Sequence, residues 1–137
     1  MFGADFWVTL VAASAVVLLG YGFAATRKAN AAAARPTRRT ALLSSELAPA
    51  AAFARLRAAS LGRFKLADSD ERRLVLVFGS GITPFSWGFF FPVFVTAAGS
   101  GSRIEAGIRS RIFQWGPVVS KTHREFVDAL ERALSQR

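Results

Sequence analysis

Hydrophobic and polar positions change rhythm along the chain, and each rhythm predicts a different element. From Phe6 to Ala25 the stretch FWVTLVAASAVVLLGYGFAA carries no charge over twenty residues. A helix of that length reaches about 30 Å, the thickness of a hydrocarbon core, so the pattern predicts a single transmembrane helix over 6–25. Phe6 and Trp7 at one end, and Tyr21 and Phe23 at the other, suit interfacial belts. A cleaved secretory signal is the rival reading. Such signals open with basic residues, whereas the leader MFGAD offers Asp5 and neither Lys nor Arg.

A helical rhythm returns at Phe53, Leu56, Ser60 and Phe64, with Arg55 and Arg57 turned away. It predicts an amphipathic helix over 49–61, with Ser44 or Ser45 as candidate cap, Pro49 in the first turn and Gly62 as the stop. A short strand near 63–67 and a turn at Asp68–Arg72 follow. Beyond the turn the period becomes two. RRLVLVFGS predicts a buried strand near 73–79. In PFSWGFFFPVFV, Trp87, Phe89, Phe91, Val93 and Val95 fall on one face and Phe90, Pro92 and Phe94 on the other, which predicts a strand over 87–97. This stretch is too short for a second span, and Pro92 marks an edge or a bulge. After the turn AAGSGS, a strand over 102–113 turns Ile104, Ala106, Ile108 and Ile112 one way and Arg103, Glu105, Arg109 and Arg111 the other. Thr122 and Glu125 match a capping box. They predict a helix over 121–134 with Phe126, Leu130 and Leu134 in its apolar stripe.

The fold class read from these elements is α+β. An N-terminal single transmembrane helix precedes a small two-layer domain, an antiparallel sheet of three to four strands flanked by two helices. Residues 1–5 form a short extracytoplasmic N-terminus, 26–46 a basic juxtamembrane linker and 47–137 the cytoplasmic domain.

Charge adds a direction to that picture. The net charge is +9. Arg27, Lys28, Arg35, Arg38 and Arg39 all follow the apolar run before the next acid, Glu46. Cytoplasmic flanks carry such an excess, so the N-terminus is expected outside and the domain inside, at the inner (plasma) membrane. The same five residues either set topology alone or also contact anionic lipid headgroups.

Candidate chemistry is sparse. With no Cys, disulfides and thiolate sites are excluded. His123 is the single His, without the company a zinc site or a Ser-His-Asp arrangement needs. The acids of Asp68–Arg72 lack the Gly and Glu of a calcium loop, and the Gly-rich turns lack the continuation of a phosphate loop. No catalytic, cofactor or metal residue is assigned, and the chain reads as non-enzymatic.

What remains is a mixed face. Phe90 and Phe94, with Arg103, Arg109 and Arg111, have the composition of a docking surface, although covered Phe and solvated Arg are an ordinary alternative. The leading functional expectation is an accessory or assembly subunit of a larger membrane complex, with the lipid bilayer and other subunits as partners. The alternative is a module binding anionic lipid through the linker and the Arg-rich face. Single-stranded nucleic acid comes third: residues 46–137 carry 13 basic and 8 acidic residues, and GIRSRIFQW lacks an RNP-type motif.

Overall fold

Alternating stretches in the second half of the chain build the centre of an antiparallel sheet. The computed structural model describes residues 3–26, 29–81, 88–110 and 117–136. Among them the order is α1 (Ala4–Thr26), β1 (Thr40–Ser45), α2 (Pro49–Ala58), β2 (Lys65–Asp70), β3 (Val75–Ser80), β4 (Phe89–Ala98), β5 (Gly101–Gly107), β6 (Arg109–Ser110) and α3 (Pro117–Ser135). The six described strands lie in the order β1-β5-β4-β3-β2, with β6 paired to the start of β4. All the pairings are antiparallel.

Period two sorts the side chains into two layers. Leu76 and Phe78 of β3, Phe89, Phe91, Val93 and Val95 of β4, and Ile104 and Ala106 of β5 share one buried cluster with Phe53 and Leu56 of α2 and Phe126 and Leu130 of α3. At its centre Phe126 stacks on Phe91, with ring centroids 4.3 Å apart, and meets Phe64 at 5.2 Å and Phe78 at 5.5 Å. Each fully buried Phe contributes about 1.5–3 kcal/mol relative to exposure, so this group carries much of the hold of α3 on the sheet.

Several elements depart from the sequence-based expectation. Among the described residues the sheet has six strands rather than three to four, because TALLSS, assigned to the linker, pairs residue by residue with β5 from Thr40↔Gly107 to Ser45↔Ser102, and the single strand expected over 102–113 is divided into β5 and β6, its last residues lying outside the described ones. Its Leu-Leu doublet hides the alternation: Leu43 is buried while Leu42 is exposed. β2 runs on through Asp68 and Asp70, with a bulge between Leu66 and Asp68, and the turn comes after it. There Asp70 Oδ1 accepts from the Arg72 and Arg73 amides at 3.1 and 3.3 Å, the local bonding that favours Asp before a turn. α3 starts at Pro117, whose fixed φ and missing N–H suit a first turn, so Thr122 and Glu125 stand inside the helix and do not cap it. α2 is preceded by Ala48 with no side-chain cap, and Ser45 Oγ instead accepts from the Leu47 amide at 3.1 Å.

The transmembrane reading of 6–25 is also corrected: among the described residues, no helix is long and apolar enough to cross a membrane. Within α1 the hydroxyls of Thr9 and Ser14 each donate back to the carbonyl four residues earlier at 2.8 Å. With the span go the outside N-terminus, the cytoplasmic placement at an inner membrane and the role as subunit of a membrane complex.

Candidate interaction surfaces

The sheet face opposite α2 and α3 carries Val75 and Val77 of β3 and Phe90, Pro92 and Phe94 of β4. It is not bare. Residues 29–34, all Ala but Asn30 and so small enough for close approach, lie across it as a strap, and Ala31 is buried against Val75, Val77 and Phe90. Backbone bonds pin the strap. Asp68 Oδ2 accepts from the Ala31 amide at 2.7 Å. The Arg73 guanidinium donates to the carbonyls of Ala31 at 3.1 Å and Ala34 at 3.3 Å, and to that of Ala32. An acid of β2 and a base of the turn between β2 and β3 thus hold the strap, and at Ala31 they satisfy backbone groups that burial would otherwise strand.

The residues expected to dock a partner are placed as follows. Phe90 is 8% exposed beneath the strap, and Phe94 is half-buried beside it. Arg109, opposite Phe90 in the register, is exposed and lines a cleft of about 170 Å³ with Asn30, Arg35, Val77 and Pro92. Arg103 is exposed and paired with Glu105 at 3.3 Å. The fold therefore brings Phe90, Arg109 and Arg35 together and leaves Arg103 farther along the sheet, opposite Thr96. Arg38 and Arg39 are exposed at the entry to β1. Arg27, Lys28 and Arg111 lie outside the described residues. The strap itself was not visible in the sequence, where an Ala run next to Arg reads as linker.

The His123 ring is engaged in a structural bond. His123 is 6% exposed, and its Nε2 lies 2.9 Å from the Ala106 carbonyl, which only accepts, so Nε2 carries the proton. Burial lowers its pKa from the ordinary value; the carbonyl bond opposes this, and Arg39 adds to the lowering. The folded state then binds protons less readily than the unfolded state, so stability is full above the unfolded value of about 6.5 and falls as the pH drops below it. Urea midpoints are expected to decrease between pH 7.5 and 5.5 in the native chain. The His123→Gln variant should lose that component of the decrease, and an identical slope in both proteins would exclude His123 as its source. Among the described residues no group of His, Asp and Glu is placed to hold a metal ion.

Two further surfaces are open. Every described side chain of α1 is exposed, including Trp7, Val11, Val16 and Leu19. The outer edge of β1 borders a groove of about 710 Å³ lined by Leu43, Ser45, Leu47, Arg55, Leu134 and Gln136. In its lining, Arg55 Nη1 donates to the carbonyls of Leu134 at 3.3 Å and Gln136 at 2.6 Å, which satisfies acceptors at the end of α3.

No family model matches the chain, and no curated protein matches it. Among solved structures it is similar to the one titled "Crystal structure of Ara h 8.0201", at 11% identity over 70% of this chain and 93% of that chain, with a TM-score of 0.49. An overlap of that extent leaves function to be argued from this chain's own residues.

Proposed function

We propose that the chain is a non-catalytic association module whose docking element is α1, covered in use by apolar helices of a partner protein. The observation that carries the reading is the exposure of α1 on all sides, with Val11 at 67% and Leu19 at 73%. A helix apolar all round is stable only when it is covered, and the domain leaves the described part of this one open. The rest of the molecule supports a platform more than a reaction centre. Phe rings fill the space between sheet and helices, the strap covers the β3–β4 part of the opposite sheet face, and His123, Asp68 and Asp70 each hold backbone groups.

A photo-crosslinking residue placed at Val11 or at Val17 of the full chain in its native cells tests this. The expected result is one discrete protein adduct of the same mass from both positions, absent when the residue replaces Leu66 on the β2 edge. Adducts with lipid alone, or none from either α1 position, would overturn the proposal.

A further inference from the structure

Sheet edges present unpaired backbone N–H and C=O groups, and a chain either guards them or uses them. The two edges of this sheet differ. β2 is guarded: it carries Lys65, Asp68 and Asp70, and a bulge interrupts it between Leu66 and Asp68. β1 has none of these devices. TALLSS contains no charge and no Pro, and its six residues pair with β5 in unbroken register. Alternate backbone groups of β1 consequently point outward along a straight, regular edge.

The side chains along that edge are self-complementary. Thr40, Leu42 and Ser44 are exposed on one face of the strand, flanked by exposed Arg38 and Arg39 at its start and Glu46 at its end. In an antiparallel pair made by a twofold axis normal to the sheet, residues directly opposite one another share a face, so the axis must pass through a residue of one parity. Centred on Leu42, it sets each copy's Leu42 against the other's, Thr40 against Ser44, and the Arg38–Arg39 end of each copy beside the Glu46 end of its mate. Centred on Leu43, it sets Leu42 opposite Ser44 and leaves the apolar side chain without an apolar mate.

We infer that β1 is a self-association edge: two copies of the chain pair β1 with β1, antiparallel about Leu42, and join their sheets into one. Leu42, 58% exposed in the single chain, is then covered, and four basic and two acidic groups meet in opposite-sign sets at the two ends of the added ladder. The groove beside β1 leaves room for the core-side residues of the incoming strand, Ala41, Leu43 and Ser45. Isologous pairing of this kind closes on itself and stops at two. It does not depend on α1.

The chain has no Cys, so single cysteines report the pairing without background. In a twofold pair only the residue on the axis faces its own copy, at a Cα separation of about 4.5–5.5 Å, within disulfide reach. With oxidised glutathione as the added oxidant, Leu42→Cys in the full chain is expected to give covalent dimers about tenfold faster than Leu66→Cys on the guarded edge. Glu46→Arg should suppress the Leu42→Cys product, and adding Arg38→Glu and Arg39→Glu should restore it. Leu42→Cys dimers that form no faster than those of Leu66→Cys overturn the inference. So does a monomeric mass by light scattering at every concentration tested, the result expected if a strand of another protein occupies this edge. Oligomers that form without the Leu42 crosslink, and disappear when Val11 and Val17 are made polar, would place self-association on α1 and overturn it as well.

Discussion

Replacing Phe126 by Ala is expected to destabilise the domain by about 3–5 kcal/mol, the usual cost of truncating a fully buried aromatic side chain. Phe126 has no exposed surface, and its ring lies stacked on Phe91 and edged or tilted against Phe64 and Phe78. These neighbours come from β4, from β3 and from the segment before β2, so the cavity would open where three parts of the chain meet α3. Side chains of such different origin cannot all move inward together, which places the expected cost toward the upper end of that range. A domain of this kind has a total stability of about 5–15 kcal/mol, and the variant keeps only part of it. Urea unfolding followed by far-ultraviolet circular dichroism measures the loss. A change below about 1 kcal/mol would mean that the stack does not hold α3. The exposed Arg63–Glu125 pair beside it is a poor substitute anchor, because solvent screens both partners.

The residues around that stack were the legible part of the fold. Phe89, Phe91, Val93 and Val95 alternate along β4, Ile104 and Ala106 along β5, and Phe53 with Leu56 follow a helical interval in α2; all of them enter the core. In each case the period of the element and the side of the core agree, which is the only information a local pattern holds. β1 was not legible because two adjacent Leu residues blur its period and its partner β5 lies about sixty residues on. The acids at Asp68 and Asp70 read as a solvated turn, yet their carboxylates accept backbone amides, one of them 37 residues away in sequence. The apolar run of α1 was legible as a helix that something must cover. Hydropathy alone does not say what covers it, and the membrane was the wrong choice for the described residues.

The candidate site divides in the same way. Phe90 and Phe94 on one strand, and Arg103 and Arg109 on its neighbours, were placed on a common face by alternation, and the register sets Phe90 opposite Arg109. That Phe90 would lie under Ala31 depended on the long-range bonds of Asp68 and Arg73, which no spacing announces. The consequence for function is direct. An aromatic side chain already covered within its own chain contributes nothing to a partner unless the strap leaves, and attention moves to the edge and the helix that remain open.

Gly101→Val is the second change with a large expected effect, because it acts on the attachment of β1 itself. A Cβ built on Gly101 overlaps the Ser45 carbonyl oxygen and stands 3.2 Å from Glu46 Cα, and both are backbone atoms with no rotamer to yield. At the other end of the same ladder Gly107 faces the Thr37 side chain, whose Oγ1 accepts from the Ile108 amide at 3.2 Å. β1 therefore meets β5 at one end through a position where only Gly admits the backbone approach, and at the other beside a side chain that must give way to any Cβ. Overpacking of this kind costs about 3 kcal/mol at the upper end of its usual range. Since 1.4 kcal/mol is a factor of ten, amide exchange across 40–45 should accelerate about a hundredfold, while the β3–β4 ladder, remote from the clash, changes less. Gly99→Ala is the control: it meets open space, and its cost is confined to the left-handed backbone at φ 58°. If β1 pairs with its own copy, Gly101→Val should also abolish the Leu42→Cys crosslink and Gly99→Ala should retain it. Unchanged exchange at 40–45 would mean that the two strands separate at Ser45 without losing the ladder, and that β1 is held from its Thr37 end alone.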